Sequence, residues 1–335
     1  MKRKQILFTD VAKAELIERE VADIADDEVL VKTEYSAISA GTERANLMGM
    51  PNVMAGDHFP KALGYCSVGI ITETGKGVNK YKAGDRVLVY HGVHTDYNKA
   101  KENQLTLVPD GVDPKDAALV IIAAMGLGGV RKLGIELGES AMIIGLGLLG
   151  IFAVQFARLE GAYPLIVSDM NPERRELALR LGADYALDPA APDYIETVKK
   201  ITGGKGVNAI VEVTGASIAL EQALKFTSYM GRIALLGCTR VSECKIDYYS
   251  EVHRPGVKLI GAHNMVRPKS DSFPGYWTMH DDCACILNLI KGKRVEVAPI
   301  VSNILSPHDA PAIFKRLAED HYNFPLGVLF DWSKL

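Results

Sequence analysis

The sequence predicts an α/β protein that combines a small β-rich domain with a doubly wound parallel sheet. Up to about residue 110, short runs of β-forming residues are separated by glycine turns, as at 67–77. From about residue 113, strand-like and helix-like segments alternate, which is typical of a parallel sheet. The chain has 335 residues, enough for two domains at roughly 100–200 residues each.

Charge and hydropathy exclude several classes of protein. The net charge of -3 excludes a strongly basic nucleic-acid binder. The most apolar window, 141–157, contains three glycines and is shorter than the roughly 20 residues of a membrane span. Residues 1–10 carry basic residues without a long apolar stretch, so we expect no signal peptide. Five cysteines form no paired framework, which favours the cytoplasm.

The β-rich part contains predicted strands at 29–35, 67–73 and 85–90, each next to a glycine or charged turn. The alternating part predicts strands at 141–144, 164–168, 209–213, 232–236 and 257–260, and helices at 148–160, 172–181, 194–201 and 217–228. Pro172 in the first turn and Gly182 after the last turn delimit one of these helices. The tail predicts helices near 280–290 and 310–319 and a strand at 325–330.

A glycine motif predicts a dinucleotide-binding site. Gly145, Gly147 and Gly150 form a G-x-G-x-x-G that follows a strand and opens a helix. The glycines permit a tight turn, the approach of a pyrophosphate and close packing of helix on sheet. The helix start, with Leu148 and Leu149, offers free N–H groups to that anion. Asp169 ends the next strand, where its carboxylate would bind ribose hydroxyls and repel a 2′-phosphate, so NAD is favoured over NADP.

Two later strand ends also belong to the predicted cofactor site. Thr214 follows the strand at 209–213, and Gly237 and Cys238 follow the strand at 232–236. Ligands bind at the carboxyl ends of parallel strands. We therefore expect the backbone at these positions to contact the nicotinamide and its ribose.

With these motifs, the sequence resembles the medium-chain dehydrogenase/reductase superfamily, which has the alcohol dehydrogenase architecture. The resemblance covers nearly the whole chain and is carried by the glycine motif and by residues 75–78, 81–87, 108–112, 173–178, 181–184 and 211–215. It implies a GroES-like catalytic domain at 1–122 and 264–335, a Rossmann cofactor domain at 123–263 and an active site in the cleft. It also implies a homodimer or homotetramer.

The positions that match the family's catalytic zinc ligands carry other residues. Ala40 stands where the first cysteine would be, Tyr65 replaces the histidine, and the third ligand falls near Ile121. Tetrahedral zinc needs three protein ligands, and Cys66 is one plausible donor. The four closely spaced cysteines of the structural zinc lobe are also missing. We predict no metal at either site.

Two histidines follow the strand at 85–90, and we interpret them as structural. His91 and His94 have no third ligand near them in sequence, which argues against a metal site.

With these ligand positions changed, the sequence resembles a zinc-poor branch of the superfamily. That branch includes bacteriochlorophyllide-type, sugar and glycoside dehydrogenases. The resemblance to it is carried by 36–44, 64–65 and 261–264. It implies an NAD(H)-dependent, zinc-independent dehydrogenase that moves a hydride between nicotinamide and a secondary alcohol or ketone, in a polyol, sugar or glycoside. Alternatives are an NADPH-dependent quinone or enone reductase and a non-catalytic nucleotide-binding protein. Nucleic-acid and membrane partners are not expected.

Three residues are candidates for catalysis. Thr42 matches the family hydroxyl that relays the substrate proton. Tyr65 would bond the substrate oxygen, with a pKa lowered by a nearby cation, or would fill the empty metal position by packing. His263 follows the last strand of the parallel sheet, and a free imidazole is suited to act as a general base near neutral pH. The base remains open among Tyr65, His263 and a water molecule held by Thr42. Glu43 is expected to support structure.

Overall fold

The computed structural model describes residues 2–53, 56 and 58–335. The chain forms two compact units. The first runs to Ile122 and resumes over Cys283–Leu335, and the second is Ala123–Asp282. The predicted domain division, which stays a prediction, assigns residues 264–282 to the β-rich domain, whereas these compact units group them with the parallel sheet.

The secondary structure is mixed throughout. The strands are β1 (Lys2–Asp10), β2 (Lys13–Glu20), β3 (Glu28–Ala37), β4 (Cys66–Thr74), β5 (Arg86–Tyr90), β6 (Tyr97–Lys101), β7 (Leu105–Leu107), β8 (Ala141–Ile144), β9 (Leu165–Ser168), β10 (Tyr185–Leu187), β11 (Val207–Glu212), β12 (Thr227–Leu235), β13 (Lys258–Gly261), β14 (Val301–Leu305) and β15 (Gly327–Asp331). The helices are α1 (Ala40–Leu47), α2 (Pro114–Ala117), α3 (Val120–Arg131), α4 (Leu148–Leu159), α5 (Pro172–Arg180), α6 (Tyr194–Ile201), α7 (Ser217–Phe226), α8 (Met279–Lys291) and α9 (Ala310–Glu319). No helix within the described ranges has the length and apolarity to cross a membrane.

The first unit is built on a sheet that the C-terminal strands complete. Its order is β14-β15-β3-β4-β5-β7, with β6 also paired to β3 and with β1 and β2 forming a separate hairpin. β15 runs antiparallel to β3 and places Phe330 opposite Ser36. Phe8 and Phe314 meet edge to face with ring centroids 4.8 Å apart in the adjoining core. The last strands of the chain therefore lie beside the strand that leads into α1.

The second unit is a six-stranded sheet of order β10-β9-β8-β11-β12-β13, and every adjacent pair is parallel. β8 lies between β9 and β11, so the chain leaves β8 to one side first and crosses to the other side later. In such sheets ligands bind outside the carboxyl ends of the strands at this switch point. The topology thus brings the ends of β8, β9, β11 and β12 to one edge.

A buried ion cluster fixes the segment that precedes α8. Asp282 is fully buried and accepts hydrogen bonds from Arg131, at 2.8 Å, and from Arg267. The Arg131 guanidinium stacks 3.8 Å above the Trp277 ring. Trp277 therefore packs on α3 within the second unit.

Neutralising Asp282 is expected to destabilise the second unit strongly. The Asp282→Asn variant leaves two largely buried guanidinium groups without their countercharge, and we expect a loss of about 3 kcal/mol or more. Chemical unfolding followed by circular dichroism measures it. The neighbouring Asp281→Asn is the control, because Asp281 accepts from the neutral Ser272 hydroxyl and its loss should be about 1 kcal/mol or less. Equal losses in the two variants would contradict this account.

Candidate active site

The glycine loop between β8 and α4 is tightly packed. Gly145 has φ +94°, a left-handed conformation that disfavours other residues, and its N–H bonds the Ser168 carbonyl at 2.8 Å. A Cβ on Gly145 would lie 2.6 Å from the Thr214 side chain, and a Cβ on Gly150 would collide with the Gly145 carbonyl oxygen. The turn and the close approach of α4 to β8 therefore both require glycine.

Gly147 differs from its two neighbours, and this difference indicates a ligand. Its φ is −65°, which any residue adopts, and a Cβ built there meets no described atom within 4 Å. It is the N-cap of α4, where none of the described side chains provides a cap. The open space and the free N–H groups of the first turn, including those of Leu148 and Leu149, fit a pyrophosphate that approaches the backbone. The residues present therefore fit a dinucleotide.

Two alanine substitutions separate packing from binding in this loop. Gly150→Ala should lower the free energy of unfolding by about 1–3 kcal/mol, because its methyl group meets backbone. Gly147→Ala should cost about 1 kcal/mol or less in stability. It should nevertheless weaken dinucleotide binding about tenfold or more, since the methyl group occupies the approach path. Thermal unfolding and NADH fluorescence titration measure the two effects. Undiminished NADH binding by Gly147→Ala would contradict the assignment.

Asp169 lies at the carboxyl end of β9, as predicted, and its carboxylate already orders the loop. Oδ2 accepts from the Leu146 N–H at 2.7 Å and Oδ1 from the Asn171 N–H at 2.8 Å. Each oxygen keeps a second lone pair for a ribose hydroxyl. Arg175 donates to the Asp169 carbonyl at 2.6 Å and contacts Asp188, so its guanidinium fastens the segment after β9.

The sequence interpretation missed a buried carboxylate beneath the predicted nicotinamide positions. Glu212, 3% exposed, accepts from the Thr214 N–H at 2.7 Å, from the Thr214 hydroxyl and from the Gly215 N–H at 3.1 Å. Burial raises the pKa of Glu212, and these donors oppose the increase. The turn that it holds packs against Gly237, where a Cβ would collide with the Gly215 nitrogen. Cys238 follows and is exposed. One carboxylate therefore orders two of the predicted strand ends.

In the first unit, three hydroxyl groups meet at the start of α1. The Tyr65 hydroxyl donates to Ser39 Oγ at 2.5 Å and is also hydrogen-bonded to Thr42. Ser39 is the N-cap of α1, and Thr42 lies in its first turn. Thr42 and Tyr65, both predicted from the sequence, are therefore brought together, and Ser39 joins them.

Two buried side chains near these hydroxyls form an acid–base pair, Glu43 and His94. From the sequence, both were expected to be structural. Glu43 and His94 are 0% and 1% exposed, and His94 Nε2 lies 3.0 Å from Glu43 Oε2. His94 Nδ1 lies 2.8 Å from Ser36 Oγ, and the Trp332 indole donates to the same oxygen at 2.9 Å. The separation of 51 positions between Glu43 and His94 explains why no local pattern revealed the pair.

The predicted lowering of the Tyr65 pKa is wrong. Burial raises the pKa of the Tyr65 hydroxyl well above its ordinary value, and nearby Cys66 and Glu43 add to the increase. Burial likewise raises the pKa of the Cys66 thiol. Both groups are therefore neutral at physiological pH. Tyr65 acts as a hydrogen-bonding phenol, and Cys66 is a packed thiol.

The residues at the family's zinc position do not fit the metal. Ala40 offers no donor atom, Ile121 is a buried hydrocarbon, and the Tyr65 hydroxyl is engaged with Ser39. Within residues 2–53, 56 and 58–335, no three His, Cys, Asp or Glu side chains are grouped as a metal would require.

His263 belongs to the second unit, where it follows β13 and is exposed. Its Nδ1 accepts from the Met265 N–H at 3.2 Å, which leaves Nε2 as the second ring nitrogen. Its candidacy as a base rests on this exposed ring.

Comparisons with known proteins agree with this architecture. The alcohol dehydrogenase GroES-like domain family matches residues 25–133, and the zinc-binding dehydrogenase family matches residues 149–279. An L-threonine 3-dehydrogenase from Pyrococcus horikoshii is 31% identical over 321 residues, 87% of each chain. The chain belongs to the medium-chain dehydrogenase/reductase superfamily. The predicted fold class, GroES-like domain plus Rossmann-type sheet, is confirmed.

Two further proteins are similar to this chain over nearly the full length. D-guloside 3-dehydrogenase from Escherichia coli K12 is 26% identical over 351 residues, which cover 98% of this chain and 100% of that protein. A solved structure from Sinorhizobium meliloti 1021, bound to NADP, superposes with a TM-score of 0.83 at 23% identity and covers 99% of each chain. At that identity the second likeness concerns the fold alone.

Proposed function

We propose that the chain is an NAD(H)-dependent, zinc-independent dehydrogenase that interconverts a secondary alcohol and a ketone. The observation that carries this proposal is the hydroxyl cluster of Tyr65, Ser39 and Thr42 at the position where zinc-containing relatives hold metal ligands. The glycine loop supports the cofactor assignment. When bound, the nicotinamide supplies hydride transfer to or from the substrate carbon.

The chain's own residues would orient the reacting oxygen and move its proton. Tyr65 is a neutral phenol whose proton lies toward Ser39, so its oxygen can accept the hydrogen bond of an alcohol. When the alcohol gives its proton to the phenol oxygen, the phenol's own proton would pass to Ser39 Oγ. The Ser39 hydroxyl proton would then pass to a water molecule held by Thr42, which hydrogen-bonds the same phenol. That water molecule would be the final acceptor within the first unit, and His263 of the second unit remains the other candidate base. A chain of neutral hydroxyls does this without ionisation of Tyr65.

The substrate class follows from this chemistry and from the relatives. A metal-free site that recognises oxygen through hydroxyl groups favours a substrate with several hydroxyls of its own. Similarity to a guloside dehydrogenase supports the same class. We therefore propose a polyol, sugar or glycoside as substrate. We also propose a cytoplasmic homodimer or homotetramer.

Asp169 is expected to set the preference for NAD. Asp169→Asn removes the negative charge that a 2′-phosphate would meet, so the ratio of the NADP to the NAD dissociation constant should fall about tenfold or more. Isothermal titration with both cofactors measures the ratio. Asp184→Asn is the control, because Asp184 accepts the Leu165 N–H at the opposite end of β9 and should leave the ratio unchanged. Tighter binding of NADP than NAD by the wild-type protein would favour the NADPH-dependent reductase instead.

The activity itself is tested on the purified protein with metal analysis and a substrate panel. We expect oxidation of a polyol, sugar or glycoside with NAD, zinc well below one atom per chain, and no inhibition by chelators. Tyr65→Phe should lower kcat about 100-fold, within the range for loss of one proton-transfer group. One zinc per chain, lost together with activity on chelation, would overturn zinc independence. Cofactor binding without turnover of any alcohol, ketone or enone would indicate a nucleotide-binding protein.

A further inference from the structure

The interior of the first unit contains a series of hydrogen bonds that runs from Trp332 to the backbone of Ser39, whose side chain in turn bonds Tyr65. It links Trp332 to Ser36 at 2.9 Å, Ser36 to His94 at 2.8 Å and His94 to Glu43 at 3.0 Å. Glu43 Oε1 accepts from the Ser39 N–H at 2.9 Å, and Ser39 Oγ accepts from Tyr65 at 2.5 Å. Only the last of these bonds enters the proposed reaction.

The donors and acceptors fix the direction of this series. An indole N–H only donates, so Ser36 Oγ accepts from Trp332. The Glu43 carboxylate only accepts, which places an imidazole proton on Nε2, and the Ser36 hydroxyl hydrogen is free to bond Nδ1. A neutral His94 in this tautomer satisfies every group in the series.

The carboxylate in this series depends on His94. Glu43 is fully buried, and a buried carboxylate is costly unless hydrogen-bond donors surround it. His94 supplies the donor to one oxygen, and the backbone of Ser39 supplies the donor to the other. Glu43 thereby holds Ser39, the N-cap residue of α1, whose side-chain oxygen accepts the hydrogen bond from Tyr65.

We propose that His94 is a positioning residue for Tyr65: acting through Glu43 and Ser39, it directs the Tyr65 proton away from the substrate and leaves the phenol oxygen as an acceptor. This inference rests on the proposed function, because it assigns Tyr65 to the substrate oxygen. His94 itself touches no reacting atom.

Two substitutions that replace one ring nitrogen each test this role. In His94→Gln the longer amide reaches the Nε2 position and still donates to Glu43, whereas in His94→Asn the shorter amide reaches only the Nδ1 position. We expect His94→Asn to lower kcat about tenfold or more with the dissociation constant for NADH unchanged, and His94→Gln to retain most of kcat. Equal kcat losses in both variants would overturn the proposal.

A spectroscopic measurement tests the same role without any substrate. We expect the ¹³Cζ resonance of Tyr65, assigned with Tyr65→Phe, to move in His94→Asn and to stay in His94→Gln. The imidazole ¹⁵N shifts of His94 in the wild-type protein should report the Nε2–H tautomer at neutral pH. An Nδ1–H or doubly protonated ring, or a Tyr65 resonance unmoved in folded His94→Asn, would overturn the inference.

The wild-type tautomer decides the matter if His94→Asn does not fold. If no alcohol is oxidised but the resonances behave as expected, the proposed function fails while the coupling of His94 to Tyr65 stands. If turnover occurs and the resonances do not respond, the proposed function stands and His94 is a packing residue.

Discussion

A carboxylate persists in an apolar interior only where donors surround it, and each unit of this protein is organised around such groups. Glu43 fixes the start of α1 in the first unit. Glu212 fixes the turns after β11 and β12 in the second, and Asp282 holds Arg131 and Arg267 against α3 and the segment before α8. The requirement for donors is strict because desolvating an ionised carboxylate is expensive. The buried carboxylates therefore fix loop positions that would otherwise be free to change conformation.

Much of the parallel sheet could be predicted because its signals are local. The helices at 194–201 and 310–319 and the strand at 141–144 have the predicted bounds. Other elements differ where local patterns are weak. The helix expected to reach residue 228 ends at Phe226, because the chain enters β12 at Thr227, five residues before the strand was expected. α1 was not predicted, since its first turn contains glycine and threonine, which favour other conformations.

The site shows the same division between local and distant information. The glycine loop and Asp169 lie within 25 residues of each other, and their spacing carries the prediction. The hydrogen bonds between Trp332 and Tyr65 join residues as far as 296 positions apart. The sequence around His94 contains no pattern that predicts a carboxylate partner. Matching to a family revealed what the metal position lacks. It indicated Thr42 and Tyr65 but not Ser39, because Ser39 acquires its hydrogen-bond partner only through folding.

The bond between Trp332 and Ser36 has a consequence for how the protein is made. A ribosome releases residue 36 long before residue 332, and the whole second unit emerges in the interval. All strands of the parallel sheet have been synthesised before residue 332, so the sheet can fold before the chain is complete. Residues 35–37 of β3, by contrast, must wait for β15, whereas residues 28–32 pair with β6, which is made much earlier. The end of β3 that leads into α1 therefore spends most of translation without its last hydrogen-bond partner.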